Sequence, residues 1–216
     1  MAPVLYYAPA SPPCRSVMLV AKEVGLELQL KPVDVMKGEH MRPEFLAINP
    51  QHTIPTLVDD DLTLWESRAI VQYIANTYDK KGLIYPKEAK LRSKIDRLLY
   101  FDFGSLYKAF ADFAFPVLRE GEKPDSGKLA KIYDALALLE TFLEGHLFAV
   151  GNRITIADHV LVATVSTLDA AGIDITKYRN VQNWYQRCSG QMRGYEEVNG
   201  KYLPDIGKMM KPKLRV

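Results

Sequence analysis

Apolar residues come in short bursts and alternations as far as Tyr78, then recur at a 3.6-residue period from Glu88 onward, so the pattern predicts two architectures in succession. Val4 to Ala8 reads as a strand. Breakers crowd Pro9 to Pro13, and a helical pattern runs from Cys14 to Val24 and stops at Gly25. Leu28 to Val33 predicts a second strand and Pro43 to Ile48 a short helix. Thr56 to Val58 and Leu62 to Trp65 predict a hairpin around the polar turn Asp59–Asp61. Glu66 to Tyr78, with Ile70, Tyr73 and Ile74 on one face, predicts a helix that closes a βαβ, α, ββα order. Such an order suits a mixed sheet with helices on its faces.

Residues 80–87, with Gly82 and Pro86 among charges, read as a linker. Beyond it strand patterns disappear. Leu91, Ile95, Leu98, Leu99, Phe103, Leu106 and Phe110 predict one long helix over Glu88–Leu118, broken at Gly121–Gly127. A second amphipathic helix follows from Leu129 to Leu143. Thr155-Ile156-Ala157-Asp158 has the spacing of a capping box with Asp in place of Glu, and Val160 to Ala171 is apolar nearly all round. A buried central helix is expected there. His159 takes the place where a hydrophobic staple with Ile154 would need an apolar residue. Asn180 to Arg187, with Trp184, gives a further helix, and the chain from Tyr195 onward predicts a short helix and a loose basic tail. The division is therefore an α/β unit over residues 1–79 and an all-helical unit over residues 88–216.

Composition narrows the chemistry. A net charge of +2 spread over 216 residues leaves no broad electrostatic footprint for nucleic acid or a membrane surface. No window approaches the length of a membrane span, and the N-terminus lacks the features of a signal peptide. The 2 cysteines, Cys14 and Cys188, sit in unlike contexts, which argues for a reducing compartment and against a disulfide framework or metal cluster. A cytoplasmic protein is expected. The chain has no P-loop, dinucleotide fingerprint or clustered metal ligands, so no metal or nucleotide cofactor is expected.

Candidate chemistry gathers at two helix starts. Ile54-Pro55 forces an extended backbone before the hairpin, which offers the Ile54 N–H and C=O to another extended chain. Ser67 falls near the next helix N-terminus, where free N–H groups attract a carboxylate, and Glu66 and Arg68 flank it. One backbone edge, one acid and one arginine together suit a small zwitterionic peptide. Ser11 precedes the first helix, where its hydroxyl serves either as a cap or as a hydrogen-bond donor to a ligand anion. Cys14, three residues on, reads as a packing residue, and Arg15 as a structural pairing residue.

Gln51-His52-Thr53-Ile54-Pro55, Leu64-Trp65-Glu66-Ser67-Arg68-Ala69-Ile70 and Ser11-Pro12-Pro13-Cys14-Arg15 together resemble the cytosolic glutathione transferases, most closely the insect delta class or the related epsilon class. The resemblance covers almost the whole chain. It implies a thioredoxin-like first domain, an all-α second domain, glutathione as co-substrate, and Ser11 as the catalytic hydroxyl that favours the thiolate. It further implies a cis peptide bond before Pro55 and glutathione contacts from His40, His52, Ile54, Glu66, Ser67 and Arg68. Tyr107, Phe110, Phe115 and the C-terminal tail become candidates for the pocket of the hydrophobic electrophile. A homodimer is implied as well, with Arg68 facing either the ligand or the partner. Ala10 departs from the family, whose members commonly have glycine there. Two other readings keep the fold without the reaction: a noncatalytic binder of glutathione or hydrophobic ligands, and a structural module of a larger assembly. Peroxidase and dehydrochlorinase activities use the same thiolate, and a redox thioltransferase would want cysteine at position 11.

Overall fold

The computed structural model describes residues 2–215. A four-stranded sheet has the order β2-β1-β3-β4, built from β1 (Val4–Tyr7), β2 (Gln29–Pro32), β3 (Thr56–Asp59) and β4 (Leu62–Trp65). β1 runs parallel to β2 and antiparallel to β3, so the connection between β1 and β2 must cross over, and α1 (Pro12–Val24) makes that crossing. Gly25 ends α1 at φ 73, a left-handed backbone that costs glycine little, and its N–H returns to the Ala21 and Lys22 carbonyls. α2 (Pro43–Leu46) is short, and α3 (Ser67–Tyr78) packs beside α1.

Register decides where the loops meet. Tyr6 faces Thr56, and Thr56 faces Trp65, so the end of β1, the start of β3 and the end of β4 lie at one edge of the sheet. Tyr7 pairs with Pro32 and its carbonyl accepts from the Val33 N–H at 2.8 Å, which brings the end of β2 to the same place. Ser11, the loop before Thr56, and Glu66 therefore leave the sheet at a common end.

The remaining chain is helical. α4 (Ala89–Phe101) and α5 (Tyr107–Phe115) are joined by a π turn at Asp102–Leu106, and a second π turn at Pro116–Glu120 leads to Gly121. The single long helix expected from periodicity is thus one helical path with two wide turns. Pro116 has no N–H to give to a regular turn. α6 (Ser126–Phe142), α7 (Ile156–Ala170) and α8 (Arg179–Gln191) complete the bundle. The stretch from Tyr195 is more ordered than a loose tail. It forms α9 (Tyr195–Val198), a 3-10 turn at Gly200–Tyr202 and α10 (Leu203–Met210), and Leu214 beyond them is buried.

α7 is the core of the bundle, with every residue from Ile156 to Leu168 buried. Its start is held by the Thr155–Asp158 capping box, and the buried Asp158 carboxylate also accepts from the Ala149 N–H at 2.7 Å and the Trp184 indole at 2.8 Å. Those bonds answer a carboxyl that burial would otherwise make costly. His159 forms no staple. Its ring Nδ1 lies 2.8 Å from the Thr155 carbonyl and Nε2 lies 3.5 Å from Glu23 Oε2, so the polar residue ties α7 to α1.

That tie gives a pH signature. The approach of the His159 ring holds the Glu23 carboxyl below its ordinary 4.5, and a depressed carboxyl adds stability that is complete above the unfolded value and lost as pH falls through the folded one. Glu23→Gln should lower the urea midpoint at pH 6, and the difference from the parent should shrink steadily below pH 4.5. A difference independent of pH would show that the tie is packing rather than charge.

Candidate functional site

Ser11 stands at the start of α1 in extended backbone, φ −80 and ψ 116, and is half-buried. Its Oγ accepts from the Cys14 N–H at 3.4 Å, a long and therefore weak bond. The cap uses an oxygen lone pair only, so the hydroxyl proton remains available to donate. Ala10 does not strain this loop: among the described residues the non-glycine positions with positive φ are His52, Asp60 and Glu66. Burial pushes the Cys14 thiol up to about 11, which makes it a packing residue, with little thiolate at neutral pH. Arg15 is buried as well. Its guanidinium donates to Asn199 Oδ1, to Thr167 Oγ1 and to the Ala163 carbonyl, and so joins the first helix to α7 and to the residue that follows α9.

The loop before β3 is organised by the buried side chain of Asn49. Its amide donates to the Thr53 carbonyl at 3.0 Å and to Thr56 Oγ1 at 2.9 Å, and its Oδ1 accepts from the Gln51 N–H at 2.9 Å. The Ile54–Pro55 bond at the tip is cis. Among the described residues the Ile54 backbone forms no hydrogen bond, so an extended N–H and C=O are open at the common end of the sheet. Gln51 links this loop to β4 and α3, since its Oε1 accepts from the Trp65 indole at 2.9 Å and its Nε2 donates to Glu66 Oε1 at 3.2 Å.

Glu66 has φ 68 and ψ 101, a backbone state that side-chain-bearing residues avoid, and it is exposed. Strain of this kind persists only where its surroundings impose it, and it clusters at ligand sites. Ser67, buried at the first position of α3, accepts from the Arg68 guanidinium at 2.9 Å. Arg68 itself turns toward the π turn after α4. It pairs with the fully buried Asp102 and lies 5.7 Å from the Phe103 ring and 5.2 Å from the Tyr107 ring. Asp102 thus compensates the charge within the chain, and Arg68 orients Ser67 rather than standing as a free cation. Burial pushes the Asp102 carboxyl up, against the pull of Arg68.

His40 and His52 stand together, with ring centroids 6.1 Å apart, and His52 adopts φ 47. Burial lowers the His40 pKa, and the charges of His52 and Arg119 lower it further, which places Arg119 within electrostatic reach of His40. Tyr107 and Phe115 are half-buried, and burial pushes the Tyr107 phenol up to about 12. Cys14 and Arg119 both act electrostatically on that phenol, which puts Tyr107 within electrostatic range of each. Phe110 is different. At 1% exposure it belongs to the core beneath α5, and the helical spacing that made it a pocket candidate is the spacing of the buried face.

Several participants escaped the sequence reading. Asn49 and Gln51 act through side-chain bonds that no motif spacing announces, although Asn-Pro-Gln ahead of an extended segment does mark a structured loop. Asp102 meets Arg68 across 34 positions of sequence, without a local signal. Arg119 falls outside the apolar pattern that was searched for pocket residues. Among the described residues no cluster could hold a metal ion, and no helix is long and apolar enough to cross a membrane.

Comparison with known proteins agrees with this geometry. Residues 5–82 match the family model for the glutathione S-transferase N-terminal domain and residues 106–191 that for the C-terminal domain. The chain belongs to the glutathione S-transferase family. It is 42% identical to glutathione S-transferase D7 of Anopheles gambiae over 100% of both chains. A delta-class glutathione transferase of Nilaparvata lugens superposes with TM-score 0.94 at 43% identity, covering 98% of this chain and 99% of the other. An epsilon-class enzyme from the housefly Musca domestica gives 0.92 at 32% identity, covering 98% of each. The thioredoxin-like and helical architecture expected from the sequence is the architecture of these neighbours.

The Arg68–Asp102 pair is open to a double-mutant cycle. Removing one member of a buried pair costs about 3–5 kcal/mol because the other charge stays behind, so Asp102→Ala should fall in that range by urea unfolding. Combining Arg68→Met with Asp102→Leu should lose less than the sum of the two single changes. Additive losses would show that the two groups do not depend on each other.

Proposed function

We propose that this chain is a glutathione transferase in which Ser11 donates a hydrogen bond to the sulfur of glutathione, favours its thiolate, and leaves it poised against a hydrophobic electrophile. The observation that carries the reading is the meeting, at one end of the sheet, of a capping hydroxyl with its proton free, an open extended backbone at Ile54 and a strained acid at a helix start. Ile54 pairs with the cysteinyl unit. Glu66 takes the γ-glutamyl ammonium, Ser67 and the amide end of α3 take its carboxylate, and Arg68 holds the Ser67 hydroxyl in place. His40 and His52 receive the glycine end. Tyr107 and Phe115 line the electrophile pocket, while Phe110 supports it from the core.

The energetic demand on Ser11 is modest. A free thiol has a pKa of about 8.5, and lowering it by roughly two units needs about 2.7 kcal/mol of preference for the anion. A charge-assisted hydrogen bond and the amide end of α1 supply that order of magnitude. In an aromatic substitution the thiolate forms the C–S bond and the leaving halide departs with the bonding electron pair. Neither step needs a metal or nucleotide. Two buried free thiols, Cys14 and Cys188, suit a cytoplasmic setting.

A second copy of the chain is the partner we infer. Tyr100 and Phe103 are 74% and 53% exposed on the path from α4 into its π turn, beside the Arg68–Asp102 pair. Aromatic side chains that open to solvent at that position are covered if two copies pair along α3 and α4.

Ser11→Ala should abolish most conjugation and return the bound thiol toward its free pKa, while glutathione affinity stays within about tenfold, read from thiolate absorbance against pH. Equal turnover by both proteins would remove the serine from the mechanism, and binding without ionisation in the parent would favour the noncatalytic alternative. Replacing Tyr100 and Phe103 by Glu should convert a dimer to a monomer in sedimentation equilibrium. An unchanged mass would place the interface elsewhere.

A further inference from the structure

Arg119 is the one site residue whose charge no part of the proposed reaction uses. It lies in the π turn Pro116–Glu120, just before Gly121 at φ 74, and it is exposed. Its guanidinium carbon sits 4.2 Å from the centroid of the Phe115 ring, a stacking contact worth about 0.5–1 kcal/mol at an exposed site. Among the described residues it forms no hydrogen bond or ion pair, although Glu120 and Glu122 adjoin it in sequence. The contact leaves the guanidinium donors without a partner among the described residues, and a guanidinium can grip a carboxylate with two parallel bonds. The group is therefore held against a ring and unused.

Its neighbours say what it faces. The charge of Arg119 is felt by His40 and by Tyr107, so it lies within electrostatic range of both, and it is in contact with Phe115. The anchors proposed for glutathione come from the sheet end and from α3. Arg119, Tyr107 and Phe115 all come from the α5 segment, the side assigned to the second substrate.

We propose that Arg119 forms an anion subsite in the electrophile pocket, so that the enzyme favours aromatic or conjugated electrophiles carrying a carboxylate over their neutral counterparts. The proposal rests on the transferase reading for the identity of the pocket. The electrophile's ring lies against the apolar side of Tyr107 and the Phe115 edge, and its carboxylate meets the guanidinium in two hydrogen bonds. The reacting carbon is thereby turned toward the sulfur. Two other roles are available to this arginine. It would merely complement the C-terminal end of its helix, or it would join His40 and His52 on the glycine carboxylate of glutathione. Each predicts a different readout.

The test compares one anion with its ester on the full chain. Dinitrobenzoate and methyl dinitrobenzoate have no leaving group, so their binding can be measured by calorimetry without glutathione and without any dependence on Ser11. The parent should bind the acid more tightly, and Arg119→Gln should weaken the acid about tenfold while the ester changes less than about twofold, the scale of one charge-assisted pair. Arg119→Lys should recover part of the loss, and added salt should erode the preference in the parent only. In turnover, the ratio of kcat/KM for chlorodinitrobenzoate to that for its methyl ester should fall by a similar factor in Arg119→Gln, with KM for glutathione unchanged.

Acid and ester affected alike, or neither affected, would overturn the subsite and leave a helix-end role. A rise confined to the KM for glutathione would overturn it in favour of the glycine carboxylate. Failure of the transferase reading is seen separately, as absent turnover of both electrophiles by a parent whose binding preference is intact.

Discussion

The structure depends on a single helix serving two cores. Every residue of α1 from Pro12 to Ala21 is buried, because α3 and α7 both pack against it. A helix enclosed in this way has no freedom to rock without disturbing both halves of the chain. Ser11 is the residue at its mouth. The placement of the hydroxyl is therefore fixed by apolar packing behind it rather than by the loop in front, and a loop residue such as Ala10 is tolerated where the backbone asks nothing of a glycine.

Enclosing α1 brings polar groups into the interior, and each is held by a different device. Asp158 is surrounded by N–H and O–H donors. Arg15 has no carboxylate; it is held by Asn199, Thr167 and a carbonyl, and burial lowers its pKa to about 10. His159 bridges to Glu23. A neutral apolar set would pack as well, but these directional bonds are satisfied in one alignment of α1 on α7, and they include residues on both sides of the seam. Apolar packing supplies the attraction, and the polar bonds select the register at which Ser11 faces the rest of the site.

How much of this could be read in the sequence follows from the range of each interaction. The capping box at Thr155–Asp158, the hairpin around Asp59–Asp61 and the buried α7 are written in residues a few positions apart, so pattern alone finds them. The convergence of Ser11, Ile54 and Glu66 needs strand register as well, and the family resemblance stood in for it. The pairing of Arg68 could not be read because its partner Asp102 lies a helix and a linker away. Phe110 and Tyr107 share one periodicity, yet one is core and the other is half-buried, because a 3.6-residue pattern gives a stripe without saying where the stripe ends. The π turns were invisible for a similar reason: one added residue per turn shifts a face slightly and leaves the apolar recurrence intact.

What the local rules fail to explain lies where ligands are expected. His52 and Glu66 take positive φ without being glycine, and among the described residues the Ile54 backbone forms no hydrogen bond and Arg119 no ion pair. Elsewhere the same chain caps α4, α6 and α7 with side chains and surrounds the buried Asp158 carboxylate with donors. Local conflicts gathered around one opening are what a site completed by a ligand requires. The unsatisfied set also has a chemical sense. Backbone groups, an acid and imidazoles suit a peptide with charges at its ends, and a stacked guanidinium suits a second, planar anion beside it. The first set leaves from the sheet and α3, the second from the turn that follows α5.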